Sequence, residues 1–149
     1  MDDLDIKILS ILKRNARIPY NTIGRLVNLS TSAVAERIKK LEKGGVINQY
    51  TTIINGEAFN KNLTALMFIS LETPKYIESF VEFVKKENDI LECHYIAGDY
   101  DYVLKIITNV PSTLETLLNK IKNQAGVIKT YTNVVLKTVK ADYSVNPGT

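Results

Sequence analysis

The sequence has one cysteine, one histidine and no tryptophan among its 149 residues. A lone cysteine excludes an internal disulfide framework and fits a reducing cytoplasm. Cys93 and His94 are neighbours in a β-prone run, so their side chains would point to opposite faces and form no metal pair. No histidine-based catalytic arrangement or Gly-rich phosphate loop is present. We therefore expect no catalytic residue, no metal, no cofactor and no enzymatic activity.

Long hydrophobic runs are also missing. No apolar stretch approaches the roughly 18 residues that a membrane span needs, and the first five residues, MDDLD, are too acidic for a signal peptide. Hydrophobic residues make up 45% and charged residues 23% of the chain, which suits a folded core. These features predict a cytoplasmic protein without a membrane partner.

Positive charge is concentrated near the N-terminus. Residues 1–60 hold nine basic and six acidic residues; the difference, +3, is the net charge of the whole chain, so 61–149 is neutral. Within 13–43, eight basic residues face two acidic ones, a difference of +6. An anionic partner therefore belongs to the N-terminal part.

Three helices are predicted in this part. Apolar spacing of i, i+4, i+7 and i+8 marks the first helix, on Leu4, Ile8, Ile11 and Leu12. Pro19 opens a short second helix, and Asn28 tolerates the left-handed backbone of a tight turn. Ser30 is a good N-cap for a third helix that runs to Lys43, without a capping box. Residues 1–50 thus predict a helix-turn-helix, and 51–62 predict a connecting strand and linker.

The remaining pattern alternates β-rich runs with two apolar helical faces. The runs are Leu63–Glu72, Ile90–Ala97, Tyr102–Thr108 and Val127–Val139. The order βαββαβ predicts a ferredoxin-like domain over 63–141, with a tail at 142–149. Both helices cover one sheet face, and the other face would be apolar through Leu66, Phe68, Val103, Ile107, Val134 and Leu136. A homodimer is the simplest way to cover that face.

Four segments carry a resemblance to a known family. LDIKILSILKRNARI, LSTSAVAERIKKLEKGGVI, GDYDYVLKI and GVIKTYTNVVLKTVK resemble the leucine-responsive regulatory protein/AsnC (Lrp/AsnC) family. The resemblance implies an α+β protein, a three-helix winged helix-turn-helix followed by a βαββαβ RAM domain. It further implies a nucleoid-associated transcriptional regulator whose dimers assemble into tetramers or octamers and bind amino acids between dimers. Asn28 and Pro19 depart from the family, which usually has Gly and Ser there.

The third helix is the predicted DNA-recognition element. Burying Val34, Ile38 and Leu41 turns the opposite face toward the major groove of double-stranded promoter or operator DNA. The predicted DNA-binding set is Ser30, Thr31, Ser32, Ala35, Glu36, Lys39, Lys40, Arg17 and Arg25. Short residues and Glu36 would read bases, and the cations would hold phosphates. A merely solvated face is the alternative for any one lysine. We expect Arg37 to pair with a carboxylate of the first helix.

The predicted effector site depends on the resemblance. It comprises Gly98, Asp99, Tyr100, Asp101, Thr130 and Thr132. A carboxylate of the loop would hold the ammonium of an amino acid, and backbone N–H groups would hold its carboxylate. A plain hairpin turn and ordinary strand threonines are the alternatives.

Two other functions compete with a regulator whose assembly is shifted by a ligand. One is an effector-independent architectural protein that wraps DNA around a higher oligomer. The other is an amino-acid-binding subunit of an enzyme, against which the basic helix-turn-helix counts heavily.

Overall fold

The computed structural model describes residues 1–148, and Thr149, the last residue of the predicted tail, lies outside them. The chain forms two compact units. One comprises residues 1–53 together with 140–148, and the other comprises residues 54–139. The domain boundaries given above stay predictions. No helix within the described residues is long and apolar enough to cross a membrane.

The first unit contains the three predicted helices: α1 (Asp3–Arg14), α2 (Tyr20–Val27) and α3 (Thr31–Lys43). α1 begins with a capping box, in which the side chains of Asp2 and Asp5 each accept the backbone N–H of the other. The three helices share one apolar core, formed by Ile8, Leu12, Ile23, Val27, Val34 and Ile38. Burial of this core fixes α3 against the two helices that precede it.

A left-handed residue makes the turn between α2 and α3. Asn28 has φ 55° and ψ 47°, as predicted, and its N–H donates to the Gly24 carbonyl. Ser30 then caps α3, because its hydroxyl accepts the N–H of Ala33 at 3.1 Å, and no capping box forms. The two short helices and their turn form the helix-turn-helix.

The predicted connecting strand at 51–62 is wrong. The described residues between α3 and the next unit form extended chain, with one 3-10 turn at Gly56–Phe59. Ile53 and Ile54 are exposed and have no neighbouring strand, so their β-propensity has no hydrogen-bonded ladder to stabilise. The wing implied by the resemblance therefore has no strand in this part of the chain.

The second unit has the predicted βαββαβ order. Its elements are β1 (Leu63–Leu71), α4 (Ile77–Lys86), β2 (Ile90–Tyr95), β3 (Tyr102–Thr108), α5 (Pro111–Lys122) and β4 (Val127–Val135). All pairings are antiparallel, and the spatial order of the strands is β2-β3-β1-β4. β1 and β3 are therefore central, and β2 and β4 form the edges.

The two faces of this sheet differ in their cover. α4 and α5 bury the face that carries Ala65, Met67 and Ile69 of β1, with Phe80 and Ile121 among the helical residues against it. We call this the helix-bearing face. Because side chains alternate along a strand, the intervening residues form an open face that no helix of the unit covers. The predicted residues on it are Leu66, Phe68, Val103 and Ile107, all half-buried. Tyr131 and Val135 of β4 lie on the same face, because they pair with Phe68 and Thr64.

Two residues predicted for the open face lie elsewhere. Val134 pairs with Ala65, and directly opposite residues share a face, so Val134 lies on the helix-bearing face with 49% of its surface exposed. Leu136 follows the last residue of β4 and is 97% exposed. β4 ends earlier than its apolar run, so the alternation could not be extended to Leu136.

Candidate functional site

α3 presents two faces of opposite character. Val34, Ile38 and Leu41 are buried toward the core, as the spacing predicted. The opposite side is exposed and carries Thr31, Ser32, Glu36, Lys39 and Lys43, with Lys40 exposed and Ala35 half-buried beside them. A rigid, well-packed helix thus displays short polar residues at its N-terminal end and cations further along, which suits entry into a major groove.

The N-terminus of α3 is organised by two serines. Ser30 Oγ accepts the Ala33 N–H and lies 3.0 Å from Ser32 Oγ. Ser30 is therefore engaged in capping the helix. The Ser32 hydroxyl keeps further hydrogen-bonding capacity, since a hydroxyl has one donor and two acceptor sites.

The predicted phosphate-binding cations remain unpaired. Arg17, Arg25, Lys39 and Lys40 are all exposed, and none forms an ion pair within residues 1–148. An exposed cation without a carboxylate partner is free to approach a phosphate, which positions a protein on DNA without reading sequence.

Arg37 behaves differently from these cations. Its Nη1 donates to Asp2 Oδ2 at 2.8 Å and to Asp5 Oδ1 at 2.7 Å. The predicted pairing with the first helix is confirmed. The backbone N–H of Asp5, followed by the Arg37 guanidinium, holds the pKa of Asp2 below its ordinary value. The two carboxylates in turn raise the pKa of Arg37.

In the second unit, the loop between β2 and β3 carries four of the predicted effector residues. Gly98 and Asp99 are exposed. Asp101 is half-buried and attaches the loop to β1: its Oδ2 accepts the N–H of Leu71 at 2.8 Å, and its N–H donates to the carbonyl of Ile69 at 2.9 Å. Asp99, in contrast, is exposed and forms no hydrogen bond or ion pair among residues 1–148.

The other predicted effector residues lie on two sides of the sheet. Tyr100 packs over the open face, with its ring centroid 5.7 Å from that of Phe68 and with Lys129 Nζ 4.5 Å from its own centroid. Thr130 and Thr132 pair with Ile69 and Met67, which places them on the helix-bearing face. A single chain thus does not bring the loop and the threonines together in one pocket.

Cys93 and His94 point to opposite faces, as predicted. Cys93 pairs with Leu104, whereas His94 pairs with Val103 on the open face and lies 3.3 Å from Glu92. Partial desolvation raises the pKa of the Cys93 thiol above its ordinary value, although the residue as a whole is exposed. Within residues 1–148, no cluster of three His, Cys, Asp or Glu side chains is placed to hold a metal ion.

Gly24 is a feature that the sequence analysis missed. A Cβ at this position would lie 2.5 Å from the carbonyl oxygen of Leu29, so the turn before α3 closes on a residue without a side chain. A signal was available, because glycine inside a short helix costs about 1 kcal/mol relative to alanine and often marks a close backbone approach.

The short helices α2 and α3 pack on α1, and the outer face of α3 is cationic. This arrangement defines a helix-turn-helix DNA-binding protein, here followed by a ferredoxin-like domain. Residues 1–42 match the AsnC-type helix-turn-helix domain, and residues 64–145 match the Lrp/AsnC ligand binding domain. The chain belongs to the Lrp/AsnC family of transcriptional regulators.

Curated relatives match nearly the whole chain. It is 38% identical over 140 residues to the HTH-type transcriptional regulator FL11 of Pyrococcus abyssi, covering 94% of this chain and 92% of that protein. It is 35% identical over 143 residues to the leucine-responsive regulatory protein of Haemophilus influenzae, with 94% and 86% covered.

A solved structure agrees with the fold of the full chain. A transcriptional regulator from Neisseria meningitidis in complex with L-Met superposes with a TM-score of 0.93 at 29% identity, covering 97% of this chain and 96% of that one. The sequence family and the three-dimensional fold therefore identify the same class of regulator.

Proposed function

We propose that α3 reads promoter or operator DNA through Thr31, Ser32, Ala35 and Glu36, with Ser30 as the cap that sets its N-terminal end. Arg17, Arg25, Lys39 and Lys40 hold the phosphates. This division between base-reading and phosphate-binding residues is supported by one observation: short, mostly exposed residues lie at the start of α3, and cations without an ion pair in the described residues surround them. A cytoplasmic, nucleoid-associated location follows from this activity.

The open face of the sheet supports a homodimer. Leu66, Phe68, Val103 and Ile107 present apolar surface that no helix of their own unit covers. A second copy of the same face would bury this surface in a two-fold arrangement. The two recognition helices then act as a pair, spaced by about 34–36 Å or a multiple of it to enter successive major grooves. We propose that such dimers assemble further into a tetramer or octamer.

An amino acid is the proposed effector. The Neisseria meningitidis neighbour was solved with L-Met, and the exposed carboxylate of Asp99 fits an α-ammonium group. Tyr100 and the pair Thr130 and Thr132 lie on opposite faces of one sheet. A pocket that uses both sets therefore needs residues from more than one subunit, so its occupancy depends on assembly.

Sedimentation and gel shift over the twenty amino acids test this proposal. We expect at least one amino acid to change both the assembly size and the affinity for a duplex selected by the protein. Asp99→Asn should weaken that response, and Asp142→Asn, an exposed carboxylate of the tail, is the control. A response to none of the twenty would reject the effector, and weak sequence preference with strong DNA bending would then favour the architectural role.

A further inference from the structure

We propose that Arg37 is a positioning residue for sequence discrimination. Asp2 and Asp5 bind its guanidinium, which keeps it from contacting DNA phosphate and fixes the orientation of the recognition helix α3. This inference rests on the proposed role of α3 as the reading element. It concerns the one cation of α3 that is tied to another helix; the other three, Lys39, Lys40 and Lys43, form no ion pair within the described residues.

The two aspartates divide their oxygens between two tasks. Asp2 accepts the Asp5 N–H with Oδ1 and Arg37 with Oδ2, and Asp5 accepts the Asp2 N–H with Oδ2 and Arg37 with Oδ1. The carboxylates that begin α1 are thus the same groups that hold α3. Because each carboxylate is fixed by its capping bond, the guanidinium is held at a defined place along α1.

Arg37 lies on the flank of α3, between the buried stripe and the reading face. It precedes Ile38 by one residue, a rotation of about 100° around the helix axis. A cleft of about 560 Å³ opens on this flank, lined in part by Glu36, Arg37 and Lys40. The Arg37 side chain is 29% exposed, so its neighbours do not enclose it, and the two carboxylates are the partners that hold the guanidinium toward α1.

The charge balance gives this contact a consequence for DNA binding. Two carboxylates against one guanidinium leave the cluster with a charge of about −1, so the cluster as a whole does not attract phosphate. Arginine is otherwise well suited to phosphate, which it binds with paired donors at any sequence. Holding it back lowers sequence-independent affinity, while the link between α1 and α3 fixes the rotation at which Ser32 and Glu36 meet the bases.

The test compares salt dependence on two duplexes, one enriched from a random library by the full-length wild-type protein and one shuffled version of it. In Asp2→Asn/Asp5→Asn, each asparagine keeps one oxygen for the capping bond and loses the acceptor for Arg37. We expect the slope of log K against log salt to steepen by about 0.9, the value for one added phosphate contact. Between 50 and 200 mM salt, that slope changes the Kd ratio by about 3.5-fold.

Two further variants assign the effect to Arg37. Arg37→Met should leave the salt slope unchanged and lower the preference for the selected duplex by roughly tenfold, because the reading face loses its fixed rotation. Lys40→Met, on the same flank and unpaired, should make the slope shallower by about 0.9. Adding Arg37→Met to the double asparagine variant should return its slope to the wild-type value.

Three results would overturn the proposal. Equal flattening of the slope in Arg37→Met and Lys40→Met would show that Arg37 already contacts phosphate. An unchanged slope in the double asparagine variant would show that the carboxylates withhold nothing. A lower melting temperature with an unchanged preference between duplexes would leave Arg37 a purely structural role. If Ser32→Ala and Lys39→Ala also have no effect on binding, the proposed reading function of α3 itself fails.

Discussion

At the scale of the residue, Gly24 shows how one missing side chain shapes the DNA-binding unit. Its α-carbon lies against the backbone of the turn that leads into α3, and an added Cβ would be 2.5 Å from the Leu29 carbonyl oxygen. The contact involves backbone atoms, so no side-chain rotation can relieve it. The turn and the direction of α3 therefore depend on this position.

Gly24→Ala should destabilise the protein. Helix propensity favours alanine by about 1 kcal/mol, but the clash forces a backbone shift that costs about 1–3 kcal/mol. We expect the clash to exceed the gain and to lower the urea midpoint of unfolding. Asn21→Ala, at an exposed site of the same helix, is the control and should have little effect or a small stabilising one. A more stable Gly24→Ala variant would show that the turn can relax.

The contribution of the Asp2 carboxylate should depend on pH. The pKa of Asp2 is lower in the folded protein than in an unfolded chain, so its stabilising effect is full above the unfolded value and is lost as pH falls through the folded one. Unfolding in urea should therefore show wild type more stable than Asp2→Asn at neutral pH, and this difference in stability should shrink as the pH falls below about 3.9, the ordinary pKa of an aspartate.

Asp3→Asn is the matched control for this pH dependence. Asp3 lies in the same first turn, is exposed, and forms no ion pair within residues 1–148. Asp3→Asn should lose only the interaction with the helix dipole, so we expect a smaller difference in stability between wild type and this variant. A loss of stability of equal size and equal pH dependence in Asp2→Asn and Asp3→Asn would contradict a specific role for the Arg37 contact.

At the scale of the element, α3 divides its exposed surface between reading and anchoring. The hydroxyl of Ser32 sits at the N-terminal end, supported by its contact with Ser30, whereas Lys39 projects from the middle of the helix. The two positions differ in what they offer DNA, since a short hydroxyl reaches base edges and a long ammonium reaches phosphates.

Ser32→Ala and Lys39→Ala should accordingly give different binding profiles. The first should relax preference at one base pair by about 1–3 kcal/mol. The second should weaken all sequences alike and reduce the salt slope by about one unit. Lys7→Ala, an exposed lysine of α1, is the control. Binding to a panel of single-base variants at several salt concentrations measures both effects, and equal loss of discrimination in the two variants would reject the division.

At the scale of the whole molecule, assembly depends on which sheet face is apolar and uncovered. Val103 lies on the open face between Phe68 and His94, whereas Val134 lies on the helix-bearing face at the edge of the sheet. Val103→Lys should dissociate the proposed dimer in sedimentation, because it buries a charge in the interface. Val134→Lys makes the same change on the other face and should leave the dimer intact. Loss of the dimer in Val134→Lys alone would instead place the interface on the helix-bearing side of β4.

Much of this architecture could be predicted because local sequence patterns determine it. The apolar spacing is i, i+4, i+7 on α3 and i, i+3, i+4, i+7 on α4 and α5, and with the alternation on β1 and β3 it agrees with the observed burial. Patterns whose outcome depends on pairing with a distant strand are less informative about structure. The run at 51–54 has β-propensity but no strand beside it. The face of Val134 depends on its pairing with Ala65 of β1, which the sequence of β4 alone does not contain.

For the recognition helix, the sequence by itself determined where α3 begins and ends, which stripe it buries and which residues it exposes, because capping and helical periodicity act over a few neighbouring residues. Only the tertiary structure decided that Arg37 shares the carboxylates of Asp2 and Asp5 while Lys40 forms no ion pair within residues 1–148. Those partners are more than thirty positions away. The position of Arg37 beside the buried stripe predicted a carboxylate of α1 as its partner, but which carboxylates it reaches follows from how the three helices pack, which no local pattern contains.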